Sequence, residues 1–430
     1  MTPAARLSAA IDLLCAIENV PRRPADATAN AFFRERRYIG GGDRRAISGL
    51  VWDVLRSWRR LHWHLRDVPG GASPRLLCGA SLILGGQPME HARTLYTGER
   101  YAPDLLSSRE DIALKALAGR ELTDAAMPRA VRLEYPDWLD PRLEASFGDA
   151  LETEMAAMEG SAPLDLRVNL LKGTREKALA ALRRESLLAN PTELSPWGLR
   201  LDGRQPVTAA EPFRTGLIEI QDEGSQLVVA AMNAQPGERV LDFCAGAAGK
   251  TLALAMTMEN RGQIVACDVS AQRLEGAVKR LRRASVHNVE RHLLVSGDKW
   301  IKRRAGTFDR VLVDAPCSGT GTWRRNPDAR IRLTEQDIRE LTLKQGEILD
   351  RAATLVKPGG RLVYATCSIL SDENMQQITA FLAKNTGFEL VPAGGDVLPE
   401  TLREQSHFAL TPYRNGTDGF FAAIMRRHPA

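Results

Sequence analysis

From Ala5 to about Ala118 apolar residues recur at three-to-four spacing, as in Leu7, Ile11, Leu14 and Cys15, or Ile47, Leu50, Val51, Val54 and Leu55. That period marks one face of a helix, so a helical N-terminal part is predicted, punctuated at Pro24, Gly40-Gly41-Gly42 and Gly70-Gly71. A new unit begins around Tyr135-Pro136-Asp137-Trp138-Leu139. Leu164 to Leu170 alternates as a strand does, Thr174 to Glu185 is helical, and Gly198-Leu199-Arg200-Leu201 reads as another strand, which together predict a small α+β unit. From Gly237 the rhythm becomes strand, glycine turn, helix, strand. Strands are predicted at 239–244, 263–267, 291–295, 308–313, 361–365 and 419–425, and helices at 250–258, 271–284, 335–356 and 373–384, with Lys357-Pro358-Gly359-Gly360 as a helix stop. Strands alternating with helices imply an α/β domain whose parallel sheet is wound on both sides. The expected division is 1–130, 131–230 and 231–430.

A chain of 430 residues exceeds one typical core, which agrees with several domains. Hydrophobic content of 44% and charged content of 26% are ordinary for a globular protein, and no run of about 18 apolar residues could cross a bilayer. Met1-Thr2-Pro3-Ala4-Ala5-Arg6 lacks the apolar stretch of a secretion signal, so a cytoplasmic protein is expected. The six cysteines, at 15, 78, 244, 267, 317 and 367, never approach C-x-x-C spacing, and neither a metal site nor a disulfide framework is expected. The net charge of +5 is mild but clustered. Between Ala31 and Asp67 nine arginines face four acids, with Tyr38, Trp52, Trp58 and Trp63 among them. Lys279-Arg280-Leu281-Arg282-Arg283, Lys302-Arg303-Arg304 and Arg324-Arg325 follow later. Contact with a polyanion and solvated helix faces are both open readings of these groups, as core packing and base stacking are for the tryptophans.

The turn from Cys244 to Lys250, directly after a buried strand, lets backbone and helix N-terminal amides approach a nucleotide-like ligand. Asp268 ends the next strand, where an acid can hydrogen-bond a ribose diol; a structural cap is the other reading. Gly-x-Gly-x-x-Gly and a complete phosphate loop are both absent, so the ligand need not carry phosphate. S-adenosylmethionine fits that description, its cationic sulfonium and amino acid tail suiting acids such as Asp298 and Asp314. Cys317, in Asp314-Ala315-Pro316-Cys317-Ser318-Gly319, and Cys367, in Ala365-Thr366-Cys367-Ser368, stand at strand ends, where open α/β sheets bind ligands. Carbon 5 of cytosine becomes nucleophilic only after a thiolate adds to carbon 6, and a second thiol can then act as base while the first is eliminated. Chemistry alone does not rank the two thiols. A lone Cys15 or Cys78 reads instead as a buried apolar residue.

Asp-Ala-Pro-Cys-Ser-Gly-Thr-Gly (314–321), Ala-Thr-Cys-Ser-Ile-Leu (365–370) with Glu373-Asn374, Gln221-Asp222-Glu223-Gly224-Ser225-Gln226 and Thr417-Asp418-Gly419-Phe420-Phe421 together resemble the RNA 5-methylcytosine methyltransferases of the Sun (Fmu, RsmB/Nop) family. The resemblance runs from about Tyr135 to the C-terminus. It implies a Rossmann-like, S-adenosylmethionine-dependent methyltransferase domain with Cys367 as nucleophile, Cys317 as the thiol assisting release and Asp314 facing cytosine N3. Cofactor binding would fall to Cys244, Ala245, Gly246, Ala247, Ala248, Gly249 and Lys250 with Asp268, Asp298 and Asp314. The family's loop reads Cys-Ala-Ala-Pro-Gly-Gly-Lys, from which Gly246-Ala247-Ala248 departs. Asn30-Ala31-Phe32-Phe33 and Asp43-Arg44-Arg45-Ala46 are similar to the NusB-type RNA-binding domain of the bacterial 16S ribosomal RNA members. The middle unit resembles their small RNA-recognition-like domain, where Arg167 and Lys172 either meet phosphates or lie on a solvated strand edge. The expected protein is a monomer that methylates cytosine carbon 5 in RNA, 16S ribosomal RNA first. Its rivals are the same chemistry on transfer RNA and a non-catalytic RNA-binding assembly factor.

Overall fold

Alternating residues in the middle of the chain build a four-stranded antiparallel sheet in the computed structural model, which describes residues 1–203 and 205–429. Its strands are β1 (Leu164–Val168), β2 (Ala189–Pro191), β3 (Gly198–Leu201) and β4 (Ile218–Ile220), in the order β2-β3-β1-β4. The helix Arg175–Arg184, whose first turn is capped by the Thr174 hydroxyl, buries Ala178, Ala181 and Leu182 in one core with Leu166, Val168 and Leu199.

The strand and helix alternation after Gly237 gives β5 (Arg239–Asp242), β6 (Gln263–Asp268), β7 (Val289–Leu293), β8 (Phe308–Asp314), β9 (Val356–Thr366), β10 (Phe388–Leu390), β11 (His407–Leu410) and β12 (Phe420–Arg427). They lie in the order β10-β12-β9-β8-β5-β6-β7, with β11 also on β12. β5 to β9 are parallel, whereas β12 runs antiparallel to β9, β10 and β11, so the sheet is mixed rather than wholly parallel. Such an antiparallel edge on a parallel sheet needs no further crossover helix. From β5 the chain winds outward through β6 and β7, then returns to place β8 on the other side of β5. That reversal opens a crevice at the carboxyl ends of β5 and β8, the place where open α/β sheets receive ligands.

Several boundaries differ from expectation. β7 starts two residues earlier than predicted. The helix Glu335–Ala353 stops short of Val356, because Val356 already pairs with Phe308; the supposed stop Lys357–Gly360 is drawn into β9 through a register shift between Phe308 and Arg310. The helix expected from Glu373 begins at Met375, after a tight turn at Ser371–Glu373.

By its contacts the chain forms two compact units, Met1–Glu159 with Trp323–Thr334, and Gly160–Thr322 with Glu335–Ala430. This contact boundary at 159/160 lies inside the segment 131–230 expected as the middle unit. The first unit is helical, from Pro3–Glu18 through Leu151–Ala156, around a core that includes Leu7, Leu14, Ile47, Val51 and Leu77. Thr2 and Ser73 cap helices that carry proline in the first turn, and Ser107 with Glu110 forms a reciprocal capping box. The buried Glu134 accepts the Arg59 and Arg60 backbone N–H groups and Arg60 Nε, which fastens residues beyond 130 to this unit. Among the described residues no helix is long and apolar enough to cross a membrane.

Candidate active site

The glycine turn closes through backbone bonds. Ala245 N donates to the Cys267 carbonyl at 2.8 Å and Ala248 N to the Ala245 carbonyl at 2.8 Å. Gly246 takes φ +54°, and a Cβ built there would meet nothing within 4 Å, so the turn is open on that side. Ala248, where the family carries glycine, is held at φ +63° with its methyl fully buried beside Leu252, Ala277 and Leu281. An L-residue in that conformation stores about 1 kcal/mol of strain, which core packing around the methyl offsets.

Asp268 is buried at the end of β6 and spends both oxygens on main chain, accepting from Gly246 N and Ser270 N at 2.8 Å each. Each oxygen keeps a second acceptor site. Asp298 accepts from Trp300 N and bonds His292 Nε2, both at 2.8 Å, and these contacts hold its carboxyl below the usual range. It bonds none of the other candidate residues. Cys244 follows β5, where burial pushes its thiol up. Two residues earlier, Asp242 was not a sequence candidate. Burial pushes its carboxyl up to about 7 despite the 2.7 Å bond from Thr251 Oγ1, and its Oδ1 has no partner among the described residues. Its only sequence signal is its place at the end of a buried strand. Val269, 69% exposed beside Asp268, is a second residue that the sequence reading passed over.

Neither reading of Arg167 survives. Arg167 is buried on β1, and its Nη1 donates to Gln221 Oε1 and, at 3.0 Å, to the carbonyl of Gly249 in the glycine turn. Burial pulls its guanidinium down to about 10. Lys172 Nζ donates to the carbonyls of Thr215 and Arg283, while Asn169 Nδ2 donates to those of Gly216 and Ala284. Unpaired carbonyls at a helix end attract such donors, so this segment braces the small sheet against the helix Ala271–Arg283. That helix's basic run is partly spent the same way. Arg280 Nη1 donates to the Ala247 carbonyl at 2.7 Å and Arg283 pairs with Glu219.

Across the crevice, Lys250 Nζ sits 2.7 Å from Asp314 Oδ2 and 5.5 Å from the centre of the Phe420 ring. Burial works against the Lys250 ammonium, but the Asp314 carboxylate outweighs it, with Cys367 and Asp242 adding, and its pKa is raised. Cys317 and Cys367 are both partly exposed, with their sulfurs 3.4 Å apart. The hydrogen bond to Cys367, burial and the negative charge of Cys367 and Glu373 raise the Cys317 pKa well above that of an ordinary thiol. Gly321 N donates to the Cys367 carbonyl at 2.9 Å, and Gly419 N to the Gly321 carbonyl at 2.8 Å. The two glycines pack so closely that a Cβ on Gly321 would strike the Gly419 backbone. The sequence candidates thus fall into two groups, the turn with Asp268, and the Lys250–Asp314 pair with the two thiols, while Asp298 stands apart.

A Rossmann-like sheet of this strand order, with a glycine turn after its first strand, defines a methyltransferase fold. Residues 229–426 match the family described as 16S rRNA methyltransferase RsmB/F, and residues 135–208 match its ferredoxin-like domain. The Ribosomal RNA small subunit methyltransferase B of Citrobacter koseri is 35% identical over 404 residues, 90% of this chain and 91% of that protein. The protein of the same name from Photorhabdus laumondii is 35% identical over 298 residues, 68% of this chain and 66% of that one, so that alignment spans just under two thirds of the relative. The crystal structure of PH0851 matches with a TM-score of 0.79 and 26% identity over 99% of both chains. The chain belongs to the RsmB/F family of 16S rRNA methyltransferases.

Proposed function

We propose that this chain methylates carbon 5 of a cytosine in RNA, 16S ribosomal RNA in the first instance, through a covalent bond from Cys367 to carbon 6. The observation that carries this reading is the 3.4 Å approach of Cys317 and Cys367 at the ends of neighbouring parallel strands, beside the Lys250–Asp314 pair. The residues of the other group suit S-adenosylmethionine. The turn is open at Gly246, Asp268 retains acceptor capacity for a ribose, Val269 offers an exposed apolar face beside it, and Asp242 Oδ1 is buried without a partner. Asp298 would serve the same ligand from the end of β7. Bound there, the cofactor supplies an electrophilic methyl group.

The thiols divide the remaining work. Cys317, with its pKa raised, holds its proton in the resting site, and Cys367 is the sulfur that adds to carbon 6. Asp314 and Lys250 face the pyrimidine and stabilise charge that develops as Cys367 adds to carbon 6. Once the Cys367 sulfur is bonded to carbon, its charge and hydrogen bond no longer hold the Cys317 proton, which passes to water and leaves Cys317 as a thiolate. Cys317 then becomes the base that removes the carbon 5 proton, and the Cys367 bond breaks.

In this reading the division into 1–130, 131–230 and 231–430 gives a NusB-like grip, an RNA-recognition-like unit and a catalytic domain, acting as a cytoplasmic monomer. Of the N-terminal arginines, Arg44, Arg59 and Arg60 are spent inside their own unit. Phosphate contact therefore falls to the exposed Arg34, Arg37 and Arg45, with Tyr38, 75% exposed, as a stacking surface. The altered turn favours a second reading, an RNA-binding factor without catalysis. Transfer of labelled methyl from S-adenosylmethionine to 16S ribosomal RNA, set beside transfer RNA and followed by nucleoside digestion, tests both. Label in 5-methylcytosine is expected. No cofactor heat in calorimetry and no label would leave the binding factor.

A further inference from the structure

Glu373 gathers both thiol-bearing loops onto one carboxylate. Its Oε1 accepts Ser318 N at 2.8 Å and Gln345 Nε2 at 3.0 Å, and its Oε2 accepts the hydroxyls of Ser318 and Ser368. Ser318 follows Cys317, and Ser368 follows Cys367. Glu373 is wholly buried, and among the described residues no lysine or arginine pairs with it. Burying a carboxylate without a counter-charge is costly unless donors replace water, and here four do. Gln345, buried on the helix Glu335–Ala353, also donates to the Pro316 carbonyl at 2.9 Å, directly before Cys317. The Tyr364 hydroxyl holds the Glu373 carbonyl at 2.7 Å. Neighbouring strands lie about 4.8 Å apart, so loops leaving β8 and β9 need such a tie to bring their sulfurs closer than that.

We propose that Glu373 is a positioning residue that holds Cys317 against Cys367 and so sets the rate of product release, leaving attack and methyl transfer largely to Cys367. This rests on the reaction proposed above. In release the carbon 5–hydrogen bond breaks and its electrons form the 5,6 double bond. The carbon 6–sulfur pair returns to Cys367, and the proton ends on Cys317. Cys317 reaches that geometry through Ser318. Cys367 has a separate anchor, since Thr366 Oγ1 donates to Asn374 Oδ1 and Asn374 Nδ2 to the Ser368 carbonyl.

The test compares Glu373→Gln, which keeps the reach and loses the charge, with the double variant Ser318→Ala, Ser368→Ala, using full-length protein and the RNA that the parent methylates. In Glu373→Gln, multiple-turnover methylation should fall at least about tenfold while single-turnover transfer stays within about threefold, as expected for a displaced base. A denaturant-resistant protein–RNA adduct should accumulate. The double serine variant should show the same pattern more weakly, and it carries the test if Glu373→Gln does not fold. Parallel loss of both rates without adduct, or no change in either, overturns the positioning role. If Cys317→Ala itself gives no adduct, the reaction scheme fails and takes this inference with it.

Discussion

The two halves of the sheet's ligand edge are built by opposite means. At the ends of β5, β6 and β7 most of the bonds that fix the acids and the turn have main chain as one partner: Asp268 accepts from Gly246 N and Ser270 N, Asp298 from Trp300 N, and the turn carbonyls accept from the Arg167 and Arg280 side chains. At the ends of β8 and β9 the fixing is done by side-chain hydroxyls on Glu373, and each thiol has the other as its partner. A binding surface gains from groups that are already satisfied and cannot move. A reacting pair needs groups held in place yet left with a proton to exchange.

Asp242 is the exception on the fixed half, and it offers the largest break in the comparison. Its folded pKa of about 7 lies above the ordinary carboxyl value, so between roughly pH 4 and 7 the native state holds a proton that the unfolded chain has released. Stability should therefore fall as pH rises through that window, by up to about 4 kcal/mol, and level off above it. Urea unfolding at several pH values should show this slope in the parent and lose most of it in Asp242→Asn; parallel curves would remove Asp242 as the cause. Arg167→Met should come next. It strips donors from the Gly249 carbonyl and Gln221, costing about 2–3 kcal/mol, and should weaken cofactor binding while leaving the salt dependence of RNA binding unchanged. A stable variant whose salt slope drops by about one would restore the phosphate-contact reading. The smallest effects belong to Ala248. Ala248→Val forces a β-branched residue into a left-handed, closed site and should cost about 2 kcal/mol, whereas Ala248→Gly exchanges strain for a lost methyl and should change the thermal unfolding free energy by less than about 1 kcal/mol.

The reactive half was more legible in the chain than the fixed half. Asp314, Cys317 and Cys367 sit at or just beyond the ends of apolar runs that survive folding as strands, and Lys250 closes the glycine turn that follows another. Arg167 was misread because strand alternation reports which face a residue is on and not what covers that face. Its acceptor at Gly249 lies 82 residues along the chain, and the acceptors of Lys172 and Asn169 on the helix end lie 111 and 115 residues away. β10 and β11, of three and four residues, are too short to show alternation, which hid the antiparallel edge. Glu373 was visible as part of a motif, but its link to Ser318 crosses between two strands and exists only once they pair. Asp242 carries a common residue at a strand end, and only its burial marks it.

The most direct measurement of the central claim is a denaturing gel of the protein incubated with RNA and S-adenosylmethionine, comparing Cys317→Ala with Cys367→Ala. A shifted, methylated protein–RNA band in Cys317→Ala and none in Cys367→Ala is the expected result. The reverse pattern would make Cys317 the nucleophile, and the absence of any band in both, with methyl transfer intact, would contradict covalent catalysis by either thiol.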